Sequence, residues 1–531
     1  MQTSQSPLFV FFPFHHSDSS VQKPFLFILL ILHHSVSLGF LNRTSLITSP
    51  LVFIFHSSPT TLLLLLSVLQ QQQLEQQQSE MLSSFSTSHE EEEDPSDHHY
   101  HNQNPLASRR FTSAATHMRQ LLINCAELVS QSNSPSAHRL LSFLSTNSSP
   151  YGDSTDRLVH QFTRALSYRL NRHTLHSFVS SAATATATAT ATVTAGASAM
   201  TPLSVADNTT ITRPIICGGS CSGGGGAAAD SEALQSSYLS LNQITPFIRF
   251  SHLTANQAIL EAIEGHQSVH ILDFDIMQGV QWPPLMQAIA ERSDPSNPPP
   301  TIRITGTGQD LDALRRTGDR LQRFAHSLGL KFQFNPLLLN DPSSIALHLP
   351  PAIVLLPDEI LAVNCVLFLH RLLRDDSRDA RLFLRTIKAM NPKVVTVAER
   401  EANHNHPFFL QRFVDALDHY TALFDSLEAT LPPNSRERLA VEQVWFGKEI
   451  LDIVSADGDD RRQRHERFET WVEMLRSSGF SNVPLSPFAL SQAKLLLRLH
   501  YPSEGYQLQI LNDSLFLGWQ NQPLFSVSSW N

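Results

Sequence analysis

Apolar residues recur at helical spacing where the chain first takes on a regular texture, near Thr116. Leu121, Leu122, Cys125, Leu128 and Val129 form one stripe, the repeat that lays a helix against a core. Ser134-Pro135 opens a second helix carrying Leu140, Leu141 and Leu144, with Ser and Pro where a helix start wants them. A third follows Asp153, with Leu158, Phe162, Leu166 and Leu170 four apart. These stripes read as core. The pattern then dissolves: Ala183 to Thr194 repeats Ala-Thr, and Gly218 to Ala229 is mostly Gly, Ser and Ala. Residues 174–235 are read as a low-complexity insertion, a mobile loop inside one domain. Helical texture resumes after Ser231 and runs to Gly265, with Thr254-Ala-Asn-Gln257 as a capping box and Gly265 as C-cap.

From there the period alternates between strand and helix. Val269 to Phe274 predicts a strand, Pro283 to Arg292 a helix, and Thr301 to Thr305 a second strand. A helix from Leu311 to Leu328 ends at Gly329, and Lys331 to Phe334 makes a third strand. Ile360 to Cys365, a helix after Asp379, and Lys393 to Glu399 continue the series. Such alternation specifies a parallel sheet with right-handed crossovers. Long helices are expected near Phe408 to Leu427, Arg436 to Val454 and His465 to Ser477. Tyr506 to Leu511, Ser514 to Trp519 and Pro523 to Trp530 then follow as close-set strands, an antiparallel meander at the sheet edge. The fold class is therefore α/β: Rossmann-like, as in methyltransferases, with antiparallel C-terminal strands and an N-terminal helical cap.

The chemistry is expected just past the first strand. Val269, Ile271 and Leu272 end in Asp273 and Asp275, where open α/β sheets place ligands, with Gly279 in the turn and Pro283 at a helix start. A cofactor loop would be rich in glycine here, yet only Gly279 stands among Ile276, Met277 and Gln278. The second strand ends Thr305-Gly-Thr-Gly308, with no acid for a ribose before Asp310. No cofactor is expected. The two aspartates lack a base, metal or nucleophile around them, so they are read as capping the turn or pairing with a nearby arginine. His404 and His406 are read as a surface loop at the head of a helix, with no matching metal ligands beside them. Arg461, Arg462, Arg464 and Arg467 neighbour Asp457, Asp459, Asp460, Glu466 and Glu469, and are read as a salt-bridged solvated face. Trp282, Trp471, Trp519 and Trp530 are read as core anchors.

Composition sharpens this picture. A formal net charge of −10 over 531 residues argues against a broad grip on phosphate backbones. Cys125, Cys217, Cys221 and Cys365 are scattered, without the paired spacing of a zinc site. Met1 to Glu80 is doubtful: Phe25 to Leu32 and Leu62 to Leu66 are apolar, but neither reaches the ~20 residues of a spanning helix. This stretch is read as translated leader, with the working chain starting at Met81. Residues 81–115 hold Glu90-Glu-Glu-Glu-Asp94 and His98-His-Tyr-His101, the composition of a disordered tail.

Several of these motifs together resemble the GRAS family of plant regulators. Val269-His-Ile-Leu-Asp273 matches the family's VHIID signature, with His270 and Asp273 in place and Leu272 for the second Ile. Gln278, Gly279, Trp282 and Pro283 continue that stretch. The leucine-rich flanks, Leu121 and Leu128 among them, fit the family's heptad regions, and Arg436-Glu437 fits the end of its PFYRE region. Trp471 with Gly479, and Trp519 with Trp530, fit its SAW region. The final Ser528-Ser-Trp530 departs from Ser-Ala-Trp by one small residue. The ending and the stretch 425–438 resemble the lateral suppressor subgroup. The resemblance covers 116–531 and implies a nuclear transcriptional regulator, not an enzyme. It implies binding to DNA-binding factors, homo- or heterodimers through the helical cap, indirect DNA contact, no membrane and a part in axillary meristem initiation. The alternative reading on the same fold is a small-molecule-binding or S-adenosylmethionine-dependent methyltransferase-like protein.

Overall fold

Among the described residues, nine strands form one sheet in the order β3-β2-β1-β4-β5-β9-β8-β7, with β6 paired to β9. The computed structural model describes residues 105–187, 226–293, 298–339, 349, 353–432 and 434–531. The proposed leader, most of the acidic and histidine-rich tail, the centre of the insertion, and Cys217 with Cys221 lie outside the described residues. β1 (Ser268–Asp273), β2 (Thr301–Gly308), β3 (Phe332–Leu338), β4 (Ile360–Val366) and β5 (Val394–Arg400) are parallel. The central strands β1, β4 and β5 are buried along their length and rich in Val, Ile, Leu and Ala, as strands covered on both faces are. β9 (Gln522–Trp530) runs antiparallel to β5, followed outward by β8 (Ser514–Trp519) and β7 (Tyr506–Leu511). The short β6 (Asn482–Val483) pairs with the far end of β9. This is the parallel sheet with an antiparallel C-terminal meander that the hydrophobic pattern predicts.

The helical layer before β1 comprises α1 (Pro105–Ser130), α2 (Ser134–Thr146), α3 (Ser154–Ala187), α4 (Gly226–Ile244) and α5 (Pro246–Ala262). α1 begins earlier than the expected Thr116, and α3 and α4 extend into the stretch read as insertion. One correction concerns α5. Thr254 is buried in mid-helix rather than capping a start; Thr245 is the extended N-cap residue and Pro246 opens the helix. Proline at a first helical position needs no N–H partner, so the chain breaks there and not nine residues later.

After β1, α6 (Trp282–Arg292), α7 (Leu311–Ser327) and α8 (Arg378–Ala389) alternate with the strands. Gly329, at φ +71°, closes α7 as expected. α9 (Phe409–Thr430) is one long helix, but the single helix expected over 436–454 is broken. α10 (Arg436–Ala440) passes through a π-helical turn, Val441–Phe446, into α11 (Gly447–Ser455). α12 (Phe468–Ser477) and α13 (Pro487–His500) precede the meander. α13 was not expected, although Ser486 caps it through a bond from the Ala489 N–H, with Pro487 at its start. Two apolar cores flank the sheet. One joins the cap helices, α9, α11 and α13 to Ala398, Leu517 and Val527; the other joins α8 and α12 to Val395, Val397 and Trp530. Alternate residues of β5 and β9 thus serve opposite faces.

Candidate functional site

Strand order reverses between the parallel neighbours β1 and β4, since β2 and β3 lie on one side of β1 and β4 and β5 on the other. In open α/β sheets the ligand crevice lies at that point, outside the carboxyl ends of the strands. Here it holds the chain's own polar side chains. Asp273, at the end of β1, accepts from Trp282 Nε1 at 2.8 Å and from Asn364 Nδ2 of β4 at 2.8 Å. Gln281 Nε2 donates to Asn364 Oδ1 at 3.0 Å and to Asn256 Oδ1 of α5 at 3.1 Å. Asn256 donates to the Gln281 carbonyl at 2.7 Å, and Thr396 of β5 to Asn364 Oδ1 at 2.9 Å. All six side chains are buried. A satisfied buried network of this kind rigidifies the elements that share it.

Asp273 therefore neither caps the turn nor pairs with an arginine, as the sequence suggested. Burial raises its carboxyl to about 7, against the bonds from Asn364 and Trp282. Asp275 behaves as expected: it is ion-paired to Arg371. The loop between β1 and α6 winds tightly, with Asp275, Met277 and Gly279 all at positive φ. Thr307 holds it, its hydroxyl accepting from the Asp275 N–H and its carbonyl from the Ile276 N–H.

The glycines that could admit a ligand are covered from within. A Cβ on Gly306 would meet Ile276 Cδ1 at 2.8 Å, one on Gly308 would meet Leu314 Cδ2 at 3.0 Å, and one on Gly279 would meet Thr317 Cγ2 at 2.8 Å. These residues buy close helix and loop packing, not an approach to a pyrophosphate or a sulfonium. S-adenosylmethionine does not fit the residues present. Two basic groups beside the loop are taken up by it: Arg371 pairs with Asp275, and Arg320 of α7 donates to the carbonyl and side chain of Gln278 at 3.1 and 2.9 Å.

A second polar centre lies beyond the carboxyl end of β5, and the sequence misplaced it. His404 is fully buried, not on a surface loop. Its Nδ1 stands 2.9 Å from His465 Nδ1; His370 pairs with Glu399 at 2.9 Å, and His419 packs edge-on against His404. Arg461 and Arg464 are also buried rather than solvated. Arg461 donates to the His404 carbonyl at 2.9 Å, and Arg464 to Asn405 Oδ1 at 3.0 Å and Asp375 at 2.9 Å. Arg462 and Arg467 remain exposed, Arg467 paired with Asp415. The segment 456–467 is thus a strap whose arginines pin the 401–407 loop. Among the described residues no group of three His, Cys, Asp or Glu is arranged to hold a metal.

Burial disfavours the charged form of three of these imidazoles: His404 and His465 lie well below their ordinary value, and His419 falls to about 3. A folded-state histidine pKa below the unfolded value means that acid favours the unfolded chain, with stability lost as pH falls from about 6.5. Replacing His419 with leucine is expected to flatten stability against pH near pH 5. The change should be about 1.4 kcal/mol per pH unit, the linkage of one proton. Denaturant titrations at pH 5 and 6 measure this; an unchanged slope would mean the folded protein already carries that proton.

The remaining motif residues fall in separate places. His270 is buried on β1, 2.8 Å from Thr305 Oγ1, with Glu359 and Arg303 beside it, and burial lowers it to about 4. Gln278 also donates to Gln235 of α4 at 3.0 Å, and Pro283 sits in the first turn of α6. Leu121 and Leu128 are half-buried against the cap core, while His117, Gln120 and Glu127 face solvent on α1. Arg436 and Glu437 are exposed; their neighbour Arg438 is the buried one, bound to Glu428 at 3.1 Å. Trp471 and Trp530 share the core under α12, with Gly479 at φ +94° closing that helix, and Trp519 packs on Tyr506 in the other core. The structure joins Asp273 and Trp282 directly, and Gln278 and Gly279 by one loop. It leaves the cap leucines and the C-terminal tryptophans as packing elements elsewhere. Asn256, Gln281 and Asn364 were missed. Asn364 alone had a sequence signal, an amide inside an apolar strand.

The GRAS domain family model matches residues 118–531. Scarecrow-like protein 18 of Arabidopsis thaliana is 55% identical over 419 residues, covering 78% of this chain and 91% of that one. Protein MONOCULM 1 of Oryza sativa subsp. japonica is 45% identical over 435 residues, covering 78% and 88%. The crystal structure of SCL7 from Oryza sativa superposes with a TM-score of 0.59 at 33% identity, covering 78% of this chain and 99% of that one. With a family match spanning the helical cap, the filled switch point and the C-terminal meander, this chain belongs to the GRAS domain family.

Proposed function

We propose that this protein is a nuclear transcriptional regulator of plant development that works by binding DNA-binding factors, with a role in axillary meristem initiation and shoot branching. The observation that carries the reading is the filled switch point. Asp273, Trp282, Gln281 and Asn364 occupy, with their hydrogen bonds satisfied, the place where a Rossmann-like enzyme would hold its cofactor. A fold whose ligand crevice is sealed offers surfaces rather than chemistry. Membership of the GRAS family and the likeness to Protein MONOCULM 1 support the developmental part. The formal charge of −10 favours contact with DNA through partners over a direct grip on its phosphates.

Capture of the full chain from plant nuclei, with mass spectrometry of what co-purifies, tests this reading. DNA-binding factors are expected, and they should be lost when the exposed α1 face (His117, Gln120, Glu127) is changed to alanine without loss of fold. Recovery of none, together with a promoter fragment shifted by the purified chain alone, would mean that the protein reads DNA itself.

A further inference from the structure

The two edges of the sheet are built differently. β3 is guarded: Lys331 precedes it and Pro336 lies within it, opposite Gly306. Charges and prolines of this kind keep edge strands from pairing with other chains. β7, Tyr506-Gln-Leu-Gln-Ile-Leu511, holds neither a proline nor a charge; the charges nearest it are Glu504, two residues before it, and Asp513 in the turn after it. Its outer half is open, with Ile510 61% and Leu511 47% exposed.

The turn fixes which backbone groups face out. Asn512 and Asp513 both have positive φ, at 48° and 61°, the two-residue turn whose flanking pair is hydrogen-bonded. Leu511 faces Ser514 as that pair, and Gln509 faces Phe516 as the next one inward. The alternation leaves the N–H and C=O of Leu508 and Ile510 pointing away from β8.

We infer that β7 pairs antiparallel with β7 of a second copy of this chain, joining the two sheets into one across a two-fold axis. The strand is self-complementary in that register. With Gln509 opposite Gln509, Leu508 of each copy meets Ile510 of the other on one face, and both residues present outward N–H and C=O groups to each other. No like charges are opposed. A two-fold contact of this kind closes on itself and stops at two copies. This inference is independent of which transcription factors the protein binds.

Cysteine cross-linking of the full chain tests it. Residues 509 of the two copies would form a non-hydrogen-bonded pair, with Cα atoms about 4.5 Å apart, within disulfide reach. Gln509→Cys is expected to give a covalent dimer on mild oxidation, and the parent chain, carrying the same native cysteines, is expected to give none. Ile510→Pro removes an outward N–H without taking a bond from the β7–β8 ladder. Its far-UV circular dichroism should match the parent, while its dimer dissociation constant by sedimentation should rise at least tenfold. A chain that stays monomeric at its highest soluble concentration overturns the inference. So does a dimer that Gln509→Cys fails to link, which would place the contact elsewhere, such as the cap.

Discussion

Replacing Trp282 with alanine is expected to cost about 3–5 kcal/mol of folding stability, the usual loss for a buried indole. Against a total of about 5–15 kcal/mol that is enough to depopulate the native state. Two losses add: the cavity under α6, and the donor that Asp273 needs when it ionises, since Trp282 Nε1 lies 2.8 Å from that carboxylate. Trp282→Phe separates them. It keeps most of the ring and removes only the N–H, so about 1–3 kcal/mol should go. The sign of its pH dependence follows from Asp273, whose carboxyl burial has raised to about 7. Below that value the group is largely protonated and depends less on the donor; above it the bare carboxylate sits in the core with one partner fewer. The deficit of Trp282→Phe should therefore be larger at pH 8 than at pH 6. Urea denaturation of both variants at the two pH values gives the answer. A deficit equal at both would show that the indole N–H does not stabilise the charged form.

The fold was legible because most of its signals are local. The Val269–Leu272 run, Gly329 after α7, and the Asn512–Asp513 turn each act within a few residues, and each was placed within a residue or two. The meander was readable for the same reason. The errors share a different cause. His404, Arg461 and Arg464 are polar residues in a charged-looking context, and their burial is decided by partners far along the chain: His465, Asn405 and Asp375. A period counts how apolar a face is; it does not reveal that an arginine will be buried with a carbonyl or an amide of another loop as acceptor. Thr254 misled through a short motif. Its spacing to Gln257 fits a capping box, but the proline at 246 had already started the helix, and Asn256 serves Gln281 instead. The switch point shows the same division. The scarcity of glycine in the turn was readable in the sequence, yet which side chains fill the space depends on β4, β5 and α5 meeting there.

Removing Arg157 should be as damaging as removing Trp282, by a different route. This side chain on α3 is almost wholly buried and reaches three partners at once. It holds Glu442 of the π-helical turn at 2.7 and 3.1 Å, Glu428 of α9 at 2.7 Å, and the carbonyl of Gly152. Arg438 shares Glu428 at 3.1 Å, so the cluster ties the cap to α9 and to the break between α10 and α11. Replacing Arg157 with alanine leaves Glu442, itself buried, without its main counter-charge. Breaking a buried pair by deleting one partner costs about 3–5 kcal/mol, because the other charge stays behind in a poor solvent. Glu428 is more than a third exposed, so water can replace its partner, and Glu428→Ala should cost much less. The double variant Arg157→Met with Glu442→Leu should recover much of the loss, since no lone charge then remains buried. Denaturation midpoints for this cycle decide between an electrostatic tie and simple packing. If the double variant is as unstable as the sum of its singles, the arginine's worth lies in filling space.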